Sequence, residues 1–105
     1  MREVQCPSVV HMSSVSITQV SCSYVGGYKS NEKYLCRNDC GSDNDVLITT
    51  TQGSKNRYSI SDDTNKRVFT ATISNLNKND AGKYWCGVMR IIFITDNPFS
   101  LTLTL

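Results

Sequence analysis

Two features of this 105-residue chain have residue types and spacing that suggest chemistry: its five cysteines, and the stretch Met89-Arg90-Ile91-Ile92-Phe93-Ile94-Thr95-Asp96-Asn97-Pro98. Cys6, Cys22, Cys36, Cys40 and Cys86 are many thiols for so short a chain, which points to an oxidising compartment and a disulfide framework. An odd number cannot all pair within one chain. A zinc site built from Cys6, His11, Cys36 and Cys40 is the competing reading, but only two of these residues are close in sequence and the compartment favours oxidation. The single histidine, His11, has no carboxylate or nucleophile arranged with it, and no phosphate-binding glycine loop is present. The expected activity is therefore binding without turnover, and the chain is not expected to be an enzyme.

A loop tip in water rarely carries as many large apolar residues as Met89, Ile91, Ile92, Phe93 and Ile94. Either this stretch extends its flanking strands into a hairpin packed on a sheet face, or it offers an exposed apolar contact to a protein or a lipid surface. Lys29, Lys33, Arg37 and Arg90 would surround such a patch with positive charge, which suits anionic headgroups. Each lysine taken alone also fits an ordinary solvated surface. A net charge of +2 is too small to suggest nucleic acid as a partner.

The elements that must position these residues are short strands. Glu3 to Val10 reads as an edge strand interrupted by Pro7. Val15 to Cys22 is the second strand; Val20 and Cys22 share one parity, while Ile17 and Val15 fall on the other, so a bulge near Thr18–Gln19 is expected to return them to the core. Glu32 to Arg37 is the third strand, with Leu35 inward and Tyr34 and Cys36 outward, on the exposed face. Asn38 to Asp45 is a turn, Val46 to Thr49 a strand, Thr50 to Asn56 a loop containing Gly53, and Arg57 to Ser61 a strand. Asp62 to Lys66 reads as a solvated turn. Phe69, Ala71 and Ile73 then alternate inward, with Leu76 plugging the corner that follows. The last two strands run from Lys83 to about Met89 and from Phe99 to Leu105.

The corner Asp80-Ala81-Gly82-Lys83-Tyr84-Trp85-Cys86 organises the rest. Gly82 allows a positive φ, Tyr84 is placed to hydrogen-bond back to the corner backbone, and Cys86 points into the core. This is the signature of strand F in an immunoglobulin sandwich, an all-β fold of variable-type topology with Greek-key connections. In that frame the chain is one domain, residues 1–105, and the strands are A, B, C, C′, D, E, F and G in order. The frame implies a Cys22–Cys86 bridge between the sheets, with Trp85 on the outer face and Arg57 pairing with Asp80. Cys36 and Cys40 flank the C–C′ turn and are expected to bridge there. Cys6 is then a free thiol or bonds a second chain.

Two motifs carry a closer resemblance. Lys33-Tyr34-Leu35-Cys36 with its following cysteine, and Gly82-Lys83-Tyr84-Trp85-Cys86-Gly87, resemble paired motifs of the leukocyte mono-immunoglobulin-like myeloid receptors. The polymeric immunoglobulin receptor and the fish immunoglobulin-like transcripts share them. Those families usually have Lys-Tyr-Trp-Cys in the first motif, and its cysteine makes a second disulfide across C and C′. Here Leu35 stands at the tryptophan position, and only three residues separate Cys36 from Cys40.

The resemblance implies the ligand-binding head of an innate immune receptor at the cell surface, or a secreted form. The native protein would then be membrane-anchored outside this stretch of chain. Some relatives bind phospholipids, sometimes with calcium near the loops. The expected ligand-binding set is Lys29, Lys33, Met89, Arg90, Ile91, Ile92, Phe93, Asp96 and Asn97, in and beside the B–C and F–G loops, with Asp96 and Asn97 as oxygen ligands should the calcium site of those relatives carry over. Polymeric immunoglobulin or another cell-surface protein is the alternative partner, met by the B–C loop from Val25 to Asn31. A third alternative is homophilic contact, with a dimer formed through the C–C′–F–G sheet or through Cys6.

Overall fold

A computed structural model describes residues 4–6, 9–12, 17–37, 45–88 and 97–103. For 9–12 and 97–103 it gives backbone pairing. The strands are β1 (Val4–Gln5), β2 (Val9–Met12), β3 (Ile17–Tyr24), β4 (Lys33–Arg37), β5 (Val46–Thr49), β6 (Ser54–Lys55), β7 (Tyr58–Asp63), β8 (Val68–Ser74), β9 (Gly82–Val88) and β10 (Asn97–Leu103). They form two five-stranded sheets, ordered β1-β3-β8-β7-β6 and β2-β10-β9-β4-β5. In immunoglobulin letters these are A-B-E-D-C″ and A′-G-F-C-C′, the variable-type sandwich. The expected strand A is divided: β1 pairs antiparallel with β3, and β2 pairs parallel with β10. The expected C′–D loop contains the added edge strand β6, where Gly53 turns the chain at a φ of 74°.

The core follows strand alternation. On β8, Phe69, Ala71 and Ile73 are buried, while the residues between them are half-exposed. Val4 from β1, Val20, Cys22 and Tyr24 from β3, Leu35 from β4, Ile48 from β5, Ile60 from β7, and Tyr84, Cys86 and Val88 from β9 complete the same cluster, with Leu76 packed against it.

Two expectations about parity are corrected. β3 and β8 pair residue for residue from Ile17↔Ser74 to Ser23↔Val68, so no bulge brings Ile17 inward. Ile17 is instead 51% exposed near the open end of its strand. Tyr34 and Cys36 do lie apart from the main core, but they are buried, in a second cluster against which Val46 and Trp85 pack. Trp85 is accordingly half-buried, with the Lys83 ammonium 4.7 Å from its ring centroid.

The E–F corner is as expected. Lys78–Asp80 forms a 3-10 turn capped reciprocally by Asn77 and Asp80. Gly82 has a φ of 150°, and the Tyr84 hydroxyl donates to the Asp80 carbonyl at 2.6 Å. Burial pushes the Tyr84 phenol up to about 12. Arg57 holds Asp80 with two bonds, Nη1 to Oδ2 at 2.8 Å and Nη2 to Oδ1 at 2.9 Å.

Candidate functional site

The end of the sandwich that carries the B–C loop is built on Lys33. The loop leaves β3 through Val25, makes one 3-10 turn over Gly26–Tyr28, and enters β4 at Lys33. The Lys33 side chain is 0% exposed. Its Nζ donates to Asp62 Oδ2 at 2.5 Å, to the Asn31 carbonyl at 2.6 Å and to the Lys29 carbonyl at 3.3 Å. It also lies 4.4 Å from the centroid of the Tyr24 ring. All three ammonium protons thus have acceptors, which is what makes burial of the charge tolerable. The Tyr24 hydroxyl donates to the second Asp62 oxygen at 2.7 Å. Burial first, and then the adjacent Asp62, hold the Tyr24 phenol above its ordinary range.

Glu32 braces the same end. Its Oε1 accepts from the Thr51 backbone N–H at 3.1 Å, linking the start of strand C to the turn after C′. Hydrogen bonding from Thr49, against the opposing effect of burial, lowers the Glu32 carboxyl. On the outer surface Val25, Lys29 and Arg67 are exposed. Arg67 belongs to the D–E turn. Its carbonyl accepts from the Tyr24 N–H at 3.0 Å, and its guanidinium lies against Gly26. The two loops therefore present apolar and cationic side chains at one end.

A second cluster lies in the core. The β1–β3 pairing of Val4 with Tyr24 and Gln5 with Ser23 continues to Cys6 opposite Cys22, at a Cα–Cα distance of 4.4 Å. Cys6 and Cys22 are disulfide-bonded, and the Cys86 sulfur, from the opposite sheet, lies 3.0 Å from each of theirs. The bridge in this structure is therefore Cys6–Cys22, where Cys22–Cys86 was expected. The reason is register: Cys6 is a direct cross-strand neighbour of Cys22, in an antiparallel position close enough for a bond. Cys36 is disulfide-bonded, and Cys40, the partner expected from the sequence, lies outside the described residues.

The immunoglobulin V-set model matches residues 5–105. This chain belongs to the immunoglobulin V-set family. The V-set domain is similar to human CMRF35-like molecule 5, at 34% identity over 88 residues that make up 80% of this chain and 45% of that protein. It is 36% identical to mouse CMRF35-like molecule 3 over 75 residues, 68% of this chain and 31% of the relative. With human CMRF35-like molecule 1 the identity is 30% over 104 residues, 95% of this chain and 34% of the relative. The domain thus spans between about a third and a half of the length of these relatives. Among solved structures it resembles the teleost fish polymeric Ig receptor ectodomain, with a TM-score of 0.73 and 27% identity over 97% of this chain and 49% of that one. These families are non-enzymatic, in keeping with the absence of a catalytic constellation in the sequence.

Within the V-set frame the sequence-derived site residues separate. Lys29 is exposed on the B–C loop, as expected. Lys33 is not a surface cation: Asp62 and two carbonyls enclose its charge. Asp62 in turn is a strand residue holding Lys33 and Tyr24, where a solvated turn was expected. Arg37 lies at the opposite end, donating to the Asn79 and Ala81 carbonyls of the E–F corner, because strand C runs the length of the sheet away from Lys33. Asn97 is the first residue of β10, paired with Cys86, and not a loop residue. Met89, Arg90, Ile91, Ile92, Phe93 and Asp96 lie outside the described residues. Sequence reasoning missed Arg67, whose only signal was a basic residue in a turn; its place beside the B–C loop depends on sheet order.

Proposed function

We propose that this V-set domain is the ligand-binding head of an innate immune cell-surface receptor, and that it recognises anionic phospholipid headgroups through its B–C and F–G loops. The observation that carries this reading is the exposure of Val25, Lys29 and Arg67 at one end of the sandwich, an apolar side chain among cations. Membrane surfaces reward that combination, because apolar insertion and headgroup attraction act together. The apolar F–G sequence from Met89 to Ile94 is suited to the same surface. Similarity to the CMRF35-like molecules supports a receptor role, with the rest of the receptor lying beyond the matched region.

A second reading is favoured by the likeness to the fish polymeric Ig receptor: a protein ligand, immunoglobulin included, met by the B–C loop. A homophilic dimer through the C–C′–F–G sheet has less to work with, since Tyr34 and Cys36 are buried and Trp85 is partly covered.

Flotation with neutral and anionic liposomes tests the first reading. Binding confined to anionic vesicles is expected, reduced severalfold by Lys29→Glu with Arg67→Glu and abolished by Ile92→Asp with Phe93→Asp. Loss with chelator would show that calcium takes part in the binding. Absence of binding to every vesicle overturns the lipid reading, and binding to immobilised immunoglobulin would then support the second.

A further inference from the structure

We propose that Lys33 is a positioning residue of the ligand-binding end: its buried ammonium holds the B–C loop with two carbonyls turned inward, so that the loop meets an anionic ligand with its cationic side. The role as a ligand determinant rests on the anionic-headgroup reading of this end, whereas the loop order does not. An ion pair joining strands C and D needs only Asp62. The two further acceptors of Lys33 Nζ are both loop carbonyls, those of Lys29 and Asn31, so the rest of the ammonium's donor capacity is committed to the loop. The earlier carbonyls are engaged within the loop itself: Val25 accepts from the Tyr28 N–H at 3.1 Å, Gly26 from Lys29 at 3.3 Å, and Tyr28 from Asn31 at 3.1 Å.

The consequence is electrostatic. A planar trans peptide carries its N–H opposite its carbonyl, so the Ser30 N–H points away from the ammonium. Lys29 and Ser30 are both exposed. That peptide therefore keeps its negative end inside, and its positive end lies on the stretch that carries the Lys29 cation. Carbonyl oxygens released to the surface would repel an oxyanion there. The ammonium is itself fixed from several sides. The Lys33 N–H donates to Thr50 Oγ1 at 3.0 Å, and its carbonyl accepts from the Thr50 N–H at 2.9 Å, in the turn after C′. Lys33 also pairs with Val88, the last residue of β9, from which the chain enters the F–G connection. Tyr28 packs against the core and anchors the middle of the loop. Lys33 thus acts on a ligand through Lys29, without reaching the surface.

Amide hydrogen exchange of the domain alone is the first test. Lys33→Met with Asp62→Leu removes both charges, so no uncompensated charge stays in the core, and it releases the two carbonyls. In that variant the Tyr28, Lys29 and Asn31 amides are expected to exchange about tenfold faster than in wild type, while the β3–β8 amides keep their rates. Flotation of the same variant with anionic vesicles is expected to fall severalfold, although Lys29 and Arg67 are intact. Loop amides that keep their wild-type rates overturn the proposal, and so does vesicle binding equal to that of wild type. Accelerated loop amides in the variant, with no vesicle binding by wild type, overturn the ligand role and uphold the loop order, which separates the two failures. A second readout needs no variant: the Lys33 ammonium should give a slowly exchanging NMR signal with nuclear Overhauser contacts to Lys29 and Asn31. Its absence overturns the proposal even where the double variant does not fold.

Discussion

The Lys33 ammonium and the Asp62 carboxylate meet at 2.5 Å beneath the B–C loop, joining strand C of one sheet to strand D of the other. The lysine is fully buried and the aspartate side chain is 14% exposed. Removing one partner leaves the other charge without compensation in the core, whereas replacing both by apolar residues removes the desolvation cost along with the attraction. Lys33→Met is expected to destabilise the domain by about 3 kcal/mol. Lys33→Met with Asp62→Leu should cost clearly less than the sum of the two single changes. Urea unfolding of the four proteins measures the coupling, and strict additivity would show that the pair is not a unit.

Asp80 sets the acid limb of the stability profile. Hydrogen bonding from Arg57 holds its carboxyl below the ordinary value of 3.8, so over that range the unfolded chain binds more protons than the folded one. The stability contributed by Asp80 is complete above the unfolded pKa and is lost as pH falls through the folded one. Glu32, lowered in the same direction, adds to this slope. Asp80→Asn is expected to cost about 3 kcal/mol at pH 7, because the Arg57 guanidinium loses its charged partner. The difference from wild type should shrink as pH falls from about 5 to about 2. Thermal unfolding at a series of pH values reads this directly, and a constant difference across the series would contradict it.

Two glycines separate backbone need from open space. Gly82 has a φ of 150°, where an L side chain is strained, although the nearest atom to an added Cβ, Arg37 Nη2, is at an ordinary 3.5 Å. Gly27 has neither a positive φ nor any atom within 4 Å of such a Cβ. Gly82→Ala is expected to destabilise by roughly 1–2 kcal/mol, and Gly27→Ala to be neutral or stabilising by up to about 1 kcal/mol. Equal losses at the two positions in a denaturant series would argue against the backbone explanation.

What was legible in the sequence by itself was whatever depends on near neighbours. The E–F corner needs a glycine at positive φ, a tyrosine within reach of a carbonyl four residues back and a cysteine of inward parity, and all three lie within one short run. The alternation of Phe69, Ala71 and Ile73 followed from strand period, and the inward Leu35 and the Arg57–Asp80 pair from the immunoglobulin frame that the corner indicates. Tertiary structure decided what depends on distance between strands. Parity placed Tyr34 and Cys36 off the main core, but packing by Val46 and Trp85 made them buried. Lys33 read as a surface cation, because only the neighbouring sheet supplies Asp62, and Arg67 joined the B–C loop only through the order of strands. Parity also marked Cys22 and Cys86 as inward, yet it carries no information on which sulfur lies nearest. The register of β1 on β3 brought Cys6 to the same point. The bonding of Cys22 is thus a property of the assembled sheets, because a disulfide forms over a few ångströms and strand period specifies only a face.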